Sequence, residues 1–299
     1  MTGERFATRR WRWIAVTAVL AAAAIIAALV APGHRSAGPD AATGPAVTLI
    51  DITSADVPRD RAFYEHSFGW TLKADYPNYP ILSAGNGPDI GIAMLGNPEA
   101  GKLEPLYRIG KSIVFFGVPD IKATLTRAES LGGKVVQPET AVSVGGSYAM
   151  FTDPVGNTIA LTRSAPGATN PAIAVGKPNP ATLVAISTPD VPGTRRFYEQ
   201  LFGLRLKEQS PGYPILTSGT GPDIGIALAD DPAAGPARPL YQVGQPVVLL
   251  QTPDIEATLH DIAASGGKTF QPKTSLASGG AYAFFTDPSG NSLGLLERP

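Results

Sequence analysis

The stretch DVPRDRAFYEHSFG, Asp56 to Gly69, and its near-copy DVPGTRRFYEQLFG, Asp190 to Gly203, decide how this chain is read. Each opens on an aspartate able to cap a helix, and a proline follows at a position whose amide needs no partner. Phe63, Tyr64 and Phe68, with Phe197, Tyr198 and Phe202 in the copy, recur at helical spacing before the closing glycine. The two stretches lie 134 residues apart, and the offset recurs: Asp89 matches Asp223, Asp120 matches Asp254, and Asp153 matches Asp287. Residues 47–163 and 181–297 align without a gap, with roughly half the positions identical. A period this long marks a duplicated domain rather than a solenoid repeat.

Working outward from the first helix, the order is strand, helix, three strands, and the same again. Strands are expected at Val47–Thr53, Thr71–Asp75, Tyr79–Ser83, Asp89–Leu95 and Ile113–Val118. Asp120 caps a second helix with Ile121, Leu125, Ala128 and Leu131 on one face, and Gly132-Gly133 stops it. Short strands near Lys134–Val136, Tyr148–Phe151 and Thr158–Thr162 complete the unit, with a hairpin turn at Asp153–Asn157. The fold class is α+β.

The whole chain has 299 residues, 43% hydrophobic and 16% charged, which suits about two globular domains. Lys+Arg 24 against Asp+Glu 25 leaves a net charge of -1, so no cationic field exists to hold a nucleic acid. The absence of cysteine excludes disulfides, thiolate metal sites and cysteine nucleophiles. No Gly-x-Ser-x-Gly elbow supports a hydrolase triad.

Trp13 to Ala31 carries no charge, and at 1.5 Å per residue it just spans a bilayer core of about 30 Å. Arg5, Arg9, Arg10 and Arg12 precede it, which places residues 1–12 in the cytoplasm and the modules outside. The expectation is a single-pass signal anchor at 13–31. A cleaved signal that releases the protein is the alternative, with small residues around Ala28 to Ala31. Residues 32–46 and 164–180, rich in Pro, Gly and Ala, are expected as linkers.

FTDPVGN at Phe151–Asn157 and FTDPSGN at Phe285–Asn291 repeat a second motif at fixed distance from the first helix. With both motifs present twice, the chain resembles the vicinal oxygen chelate superfamily, the group of glyoxalase I, bleomycin-resistance proteins and extradiol dioxygenases. The resemblance covers both copies. It implies two tandem modules, 47–163 and 181–297, each of paired βαβββ units forming an open curled sheet around a cleft. It also implies an internal pseudo-dimer, and hence a monomer.

In enzymes of that superfamily the cleft holds a divalent ion on His, Glu or Gln. The resemblance puts those positions at Leu49, Ile113 and Ala160, and at Leu183, Val247 and Gly294. None can coordinate a metal. Asp51 is the one nearby donor, and Ala185 takes its place in the second copy. His34, His66 and His260 fall in the spacer or on helices. No metal and no other cofactor is expected.

The candidate ligand-binding residues are therefore aromatic: Tyr79, Tyr107 and Tyr148, with Tyr213, Tyr241 and Tyr282, on or beside sheet strands. A tyrosine facing a cleft offers a flat apolar surface and one hydroxyl; core or rim packing is the competing reading. Phe115 and Met94 could line the same cleft but read first as core, Arg59, Asp60 and Arg61 read as a solvated helix face, and Asp89 and Asp223 could be catalytic but read first as solvated or turn-capping. The glycines of Tyr79–Ala93 and Tyr213–Ala227 form hairpin turns, since no helix follows them to hold phosphate. The functional expectation is a membrane-tethered, metal-free protein that binds a small apolar or planar molecule. The alternatives are a lyase or oxygenase with relocated ligands or cofactor-independent chemistry, and a non-catalytic interaction module with a filled cleft.

Overall fold

The computed structural model describes residues 45–85, 87–141, 146–163, 179–209, 212–276 and 280–298. Module 1 runs β1 (Ala46–Ser54), α1 (Val57–Phe68), β2 (Thr71–Tyr76), β3 (Tyr79–Ser83) and β4 (Asp89–Met94). It repeats the pattern with β5 (Ile113–Gly117), α2 (Ile121–Ser130), β6 (Lys134–Ala141), β7 (Ser147–Thr152) and β8 (Thr158–Arg163). Module 2 follows with β9 (Ala181–Thr188), α3 (Val191–Phe202), β10 (Arg205–Glu208), β11 (Ile215–Thr217) and β12 (Asp223–Leu228). Its second half is β13 (Val247–Gln251), α4 (Ile255–Ala264), β14 (Lys268–Ser275), β15 (Ala281–Thr286) and β16 (Ser292–Glu297).

Each helix starts because an aspartate satisfies an amide that the helix itself cannot. Asp56, Asp120, Asp190 and Asp254 accept from Arg59 N, Ala123 N, Gly193 N and Ala257 N at 2.9–3.2 Å. Each module forms one eight-stranded sheet, ordered β2-β3-β4-β1-β5-β8-β7-β6 in the first and β10-β11-β12-β9-β13-β16-β15-β14 in the second. The central pair β1–β5 is antiparallel, while β4 lies parallel to β1 and β8 parallel to β5. Two 3-10 segments, Pro98–Leu106 and Pro232–Leu240, join the halves of each module.

The central strands bury both faces. On one face Val47, Ile50, Ile52, Val114, Phe116 and Leu161 meet the helices in a core that both modules share. The opposite faces of the sheets carry two separate clusters, one per module. Strands buried on both sides lose polar alternation, which is why β1 alternates only weakly. A register shift between Val47 and Leu49 sends Val47 to the helix side and Leu49 to the other.

The modules interlock through the FTDPxGN turns. Tyr64 on α1 donates to Asp287 Oδ2 at 2.8 Å, and Tyr198 on α3 donates to Asp153 Oδ2 at 3.1 Å. Asn291 Nδ2 reaches Thr53 O, and Asn157 Nδ2 reaches Ser187 O. Phe116 of one module stacks on Phe202 of the other at 4.2 Å. Tyr64 and Tyr198 thus pack against the sheet side as expected, with hydroxyls that cross to the other module.

Asp60 does not belong to a solvated helix face. It is buried, accepts from Ser54, Arg59 and Ser289, and takes the last of these across the module boundary. Asp89 is also buried rather than solvated and pairs with Lys73 at 2.6 Å, as Asp223 pairs with Lys207 at 2.5 Å. Both pairs join β2 to β4, or β10 to β12, across the strand between them. The segment Trp13–Ala31 lies outside the described residues. Among the described residues no helix is long and apolar enough to cross a membrane.

Candidate functional site

The cleft face of module 1 is lined by Leu49, Ile81, Ile113, Phe115, Met150 and Ala160, with Tyr79, Tyr107 and Tyr148 among them. The three tyrosines come from β3, the end of the 3-10 segment and β7, elements far apart in sequence that the sheet order brings to one side. All three are buried. At their centre is Asp51 of β1. Its two oxygens accept from the hydroxyls of Tyr79 and Tyr107, the latter at 3.1 Å. Burial pushes the Asp51 carboxyl up to about 7, with the two hydroxyls pulling the other way. The same burial, and the negative charge of Asp51, hold Tyr79 and Tyr107 well above the ordinary phenol value.

Gly91 makes this arrangement possible. A Cβ there would collide with the Asp51 carboxylate and the Tyr79 hydroxyl, so only glycine lets the pair lie against β4.

Module 2 places Tyr213, Tyr241 and Tyr282 on the matching face, beside Leu183, Ala185 and Phe284. Here Ala185 stands where module 1 has Asp51, and the Tyr213 hydroxyl donates instead to Tyr241. Burial and the neighbouring Tyr282 push Tyr241 up to about 12. The three tyrosines are partly exposed. Tyr213 and Tyr241 meet edge to face at 6.1 Å, Tyr282 meets Phe284 at 5.7 Å, and Phe270 stacks on Phe284 at 5.9 Å.

All six tyrosines singled out from the sequence therefore fall on cleft faces, three to a module. Phe115 is cleft floor in module 1 rather than helix-side core, and Met94 is partly buried at the end of β4. The partnership of Asp51 with two tyrosines was not visible in the sequence. Its signal was a single carboxylate inside an otherwise apolar strand, with alanine at the matching place in the copy.

The residues of the clefts do not fit the divalent ion that relatives hold. Leu49, Ile113 and Ala160 share the cleft face with Asp51, and offer hydrocarbon only. Asp51 has both oxygens engaged by phenol hydroxyls. In module 2 the matching floor is Leu183, Val247 and Gly294, with Ala185. Among the described residues no group of three or more His, Cys, Asp or Glu side chains could hold a metal ion. His66 and His260 lie on α1 and α4, away from either cleft cluster.

Two open grooves outside the clefts have charged walls. One lies between α1 and the β2–β3 turn, with Arg61, Glu65 and Asp75. The other lies beside α2, with Lys122, Arg127 and Arg163. Their ion pairs are solvent-facing, Arg61 with Glu65 and Arg163 with Glu139, and neither groove holds a buried polar group aimed into it.

Comparison with known proteins gives the same pattern twice. The family model described as "Glyoxalase/Bleomycin resistance protein/Dioxygenase superfamily" matches residues 46–161 and again 182–295. The chain is 24% identical over 267 residues to "Putative glyoxylase CFP32" of Mycobacterium tuberculosis, covering 83% of this chain and 93% of that protein. It is 29% identical over 265 residues to "Anthracycline biosynthesis protein DauV" of a Streptomyces species, covering 83% and 91%. Among solved structures, the Mn(II)-bound glyoxalase of Novosphingobium aromaticivorans superposes with a TM-score of 0.60 at 14% identity, over 85% of this chain and 82% of that one. The 2,3-dioxygenase LapB of Pseudomonas sp. KL28 does so with a TM-score of 0.60 at 13% identity, over 86% and 93%. At such identities the structural likeness speaks for the fold alone.

Proposed function

The chain belongs to the glyoxalase/bleomycin resistance protein/dioxygenase superfamily, and from that premise we propose that it binds a small planar molecule in a sheet cleft without a divalent ion. One observation carries this reading. The positions that the family resemblance assigns to metal donors are filled by Leu49, Ile113, Ala160, Leu183, Val247 and Gly294, yet the clefts they line keep a set of tyrosines. A cleft of that kind supplies apolar surface, flat rings and hydroxyl donors. It lacks the electrophile that polarises a substrate oxygen in the metal-dependent members.

The ligand class follows from the lining. Tyrosine and phenylalanine rings favour a flat, conjugated molecule, and hydroxyl donors favour carbonyl or phenol oxygens on its edge. The name of the relative DauV, an anthracycline biosynthesis protein, is in keeping with polycyclic aromatic compounds. The N-terminal segment Trp13–Ala31 tethers the modules to the outer face of a membrane, supported by the four arginines before it. The two modules act as each other's partner, so the protein is a monomer with an internal pseudo-dimer.

The test is a titration of the purified protein with a neutral hydroxyanthraquinone, followed by quenching of tyrosine and tryptophan emission. The expected outcome is saturable binding with micromolar Kd, about -8 kcal/mol, that EDTA leaves unchanged. Binding or turnover that appears only with stoichiometric Mn(II), Ni(II) or Fe(II) would overturn the reading.

A further inference from the structure

The two clefts differ at several matched positions. At the 134-residue offset, Asp51 is met by Ala185, Leu103 by Ala237, Phe115 by Leu249 and Ala160 by Gly294. Each change removes side-chain volume from module 2. Met150, met by Phe284, Val136, met by Phe270, and Thr162, met by Leu296, go the other way, and the first two bring flat rings to the module 2 face. Exposure follows volume. Tyr79, Tyr107 and Tyr148 are 1%, 3% and 2% exposed, whereas Tyr213, Tyr241 and Tyr282 are all partly exposed.

The closed state of the first cleft has a specific cause. Asp51 draws the Tyr79 and Tyr107 hydroxyls to itself from β3 and from the 3-10 segment, so the floor is tied to the segment above it. Ala185 cannot do this. Tyr213 then turns to Tyr241, and the three tyrosines of this face keep partial exposure. Its rim continues the aromatic surface outward: Phe270, 38% exposed, lies parallel to Phe284 with an interplanar angle of 12°. The cluster itself is made of aliphatic and aromatic side chains.

We infer that the modules have divided roles: module 2 takes one neutral, planar, oxygen-bearing aromatic molecule per chain, and module 1 is closed by Asp51. This rests on the binding reading above and narrows it to one cleft. Ala185 is the residue that sets the difference, because a carboxylate there would reproduce the closure of module 1.

The experiment measures stoichiometry by native mass spectrometry and calorimetry with the same neutral hydroxyanthraquinone, on the full chain. One molecule per chain is expected. Ala185→Asp should weaken binding at least 10-fold, with far-UV circular dichroism and melting temperature recorded to establish that it folds. Tyr241→Phe, which keeps the ring and removes a hydroxyl, should weaken binding several-fold. Two equivalent sites per chain, or unweakened binding by a folded Ala185→Asp, would overturn the division of roles while leaving the binding reading intact. No binding by the unaltered protein would overturn both.

Discussion

A carboxyl sealed from water holds its proton more firmly than one in an unfolded chain, and Asp51 is such a group. Its value rises from an ordinary 3.8 to about 7, so the native state binds a proton that the unfolded state releases. This contribution to stability is complete below about pH 4 and declines as pH rises towards 7; the fall is roughly 4 kcal/mol for a shift of this size. Asp153 and Asp287 are raised in the same direction, again chiefly by burial, and add to the slope. Asp51→Asn is therefore expected to lose less stability between pH 4 and pH 8 than the unaltered protein, measured by urea unfolding at each pH. An unchanged slope would mean that Asp51 is not closed off as described. Ala185 required no such accommodation, and the contrast was already printed in the sequence as a carboxylate matched by a methyl group. What the sequence did not disclose was the pair of hydroxyls, because Tyr79 and Tyr107 are 28 and 56 residues away along the chain.

At the level of elements, the helices were the easiest to read. Four aspartates stand at four helix starts, and each caps through its own side chain, an interaction that needs no distant partner. The strands were readable in position but not in facing, since both faces of the central strands are buried. The 3-10 segments Pro98–Leu106 and Pro232–Leu240 do not show in the sequence because prolines and a glycine interrupt each, and such stretches read as irregular turns. Asp60 reads as solvated for a different reason: one of its hydroxyl partners, Ser289, is 229 residues away. The Trp13–Ala31 segment is an element-scale expectation with its own outcome. Intact cells treated with an external protease should lose the modules from the membrane fraction, while a soluble, protected product would contradict the tether.

For the whole molecule, duplication was plain from the repeated motifs, but their mutual engagement was not. Tyr64 and Asp287 belong to different modules, as do Tyr198 and Asp153, so each FTDPxGN turn completes its hydrogen bonds in its neighbour. Tyr64→Phe removes one of the two donors to Asp287 Oδ2, with Asn291 Nδ2 remaining, and a loss of about 1 kcal/mol is expected from urea unfolding. Tyr64→Phe combined with Asp287→Asn should cost less than the two single changes together, because they remove one shared interaction. Additive losses would mean that the contact contributes nothing across the boundary. The same shared core predicts that both halves melt in one transition.

The engagement is not symmetrical in its details. Ser289 of module 2 reaches the buried Asp60 of module 1, whereas on the opposite side Val155 lies beside Thr194 and Thr194 is satisfied by Thr188. Were two first modules to meet, from neighbouring chains during synthesis, Val155 would be presented to Asp60 and its carboxylate would lose a hydroxyl it needs. The pairing of two first modules is thereby penalised, and the contact favours unlike halves.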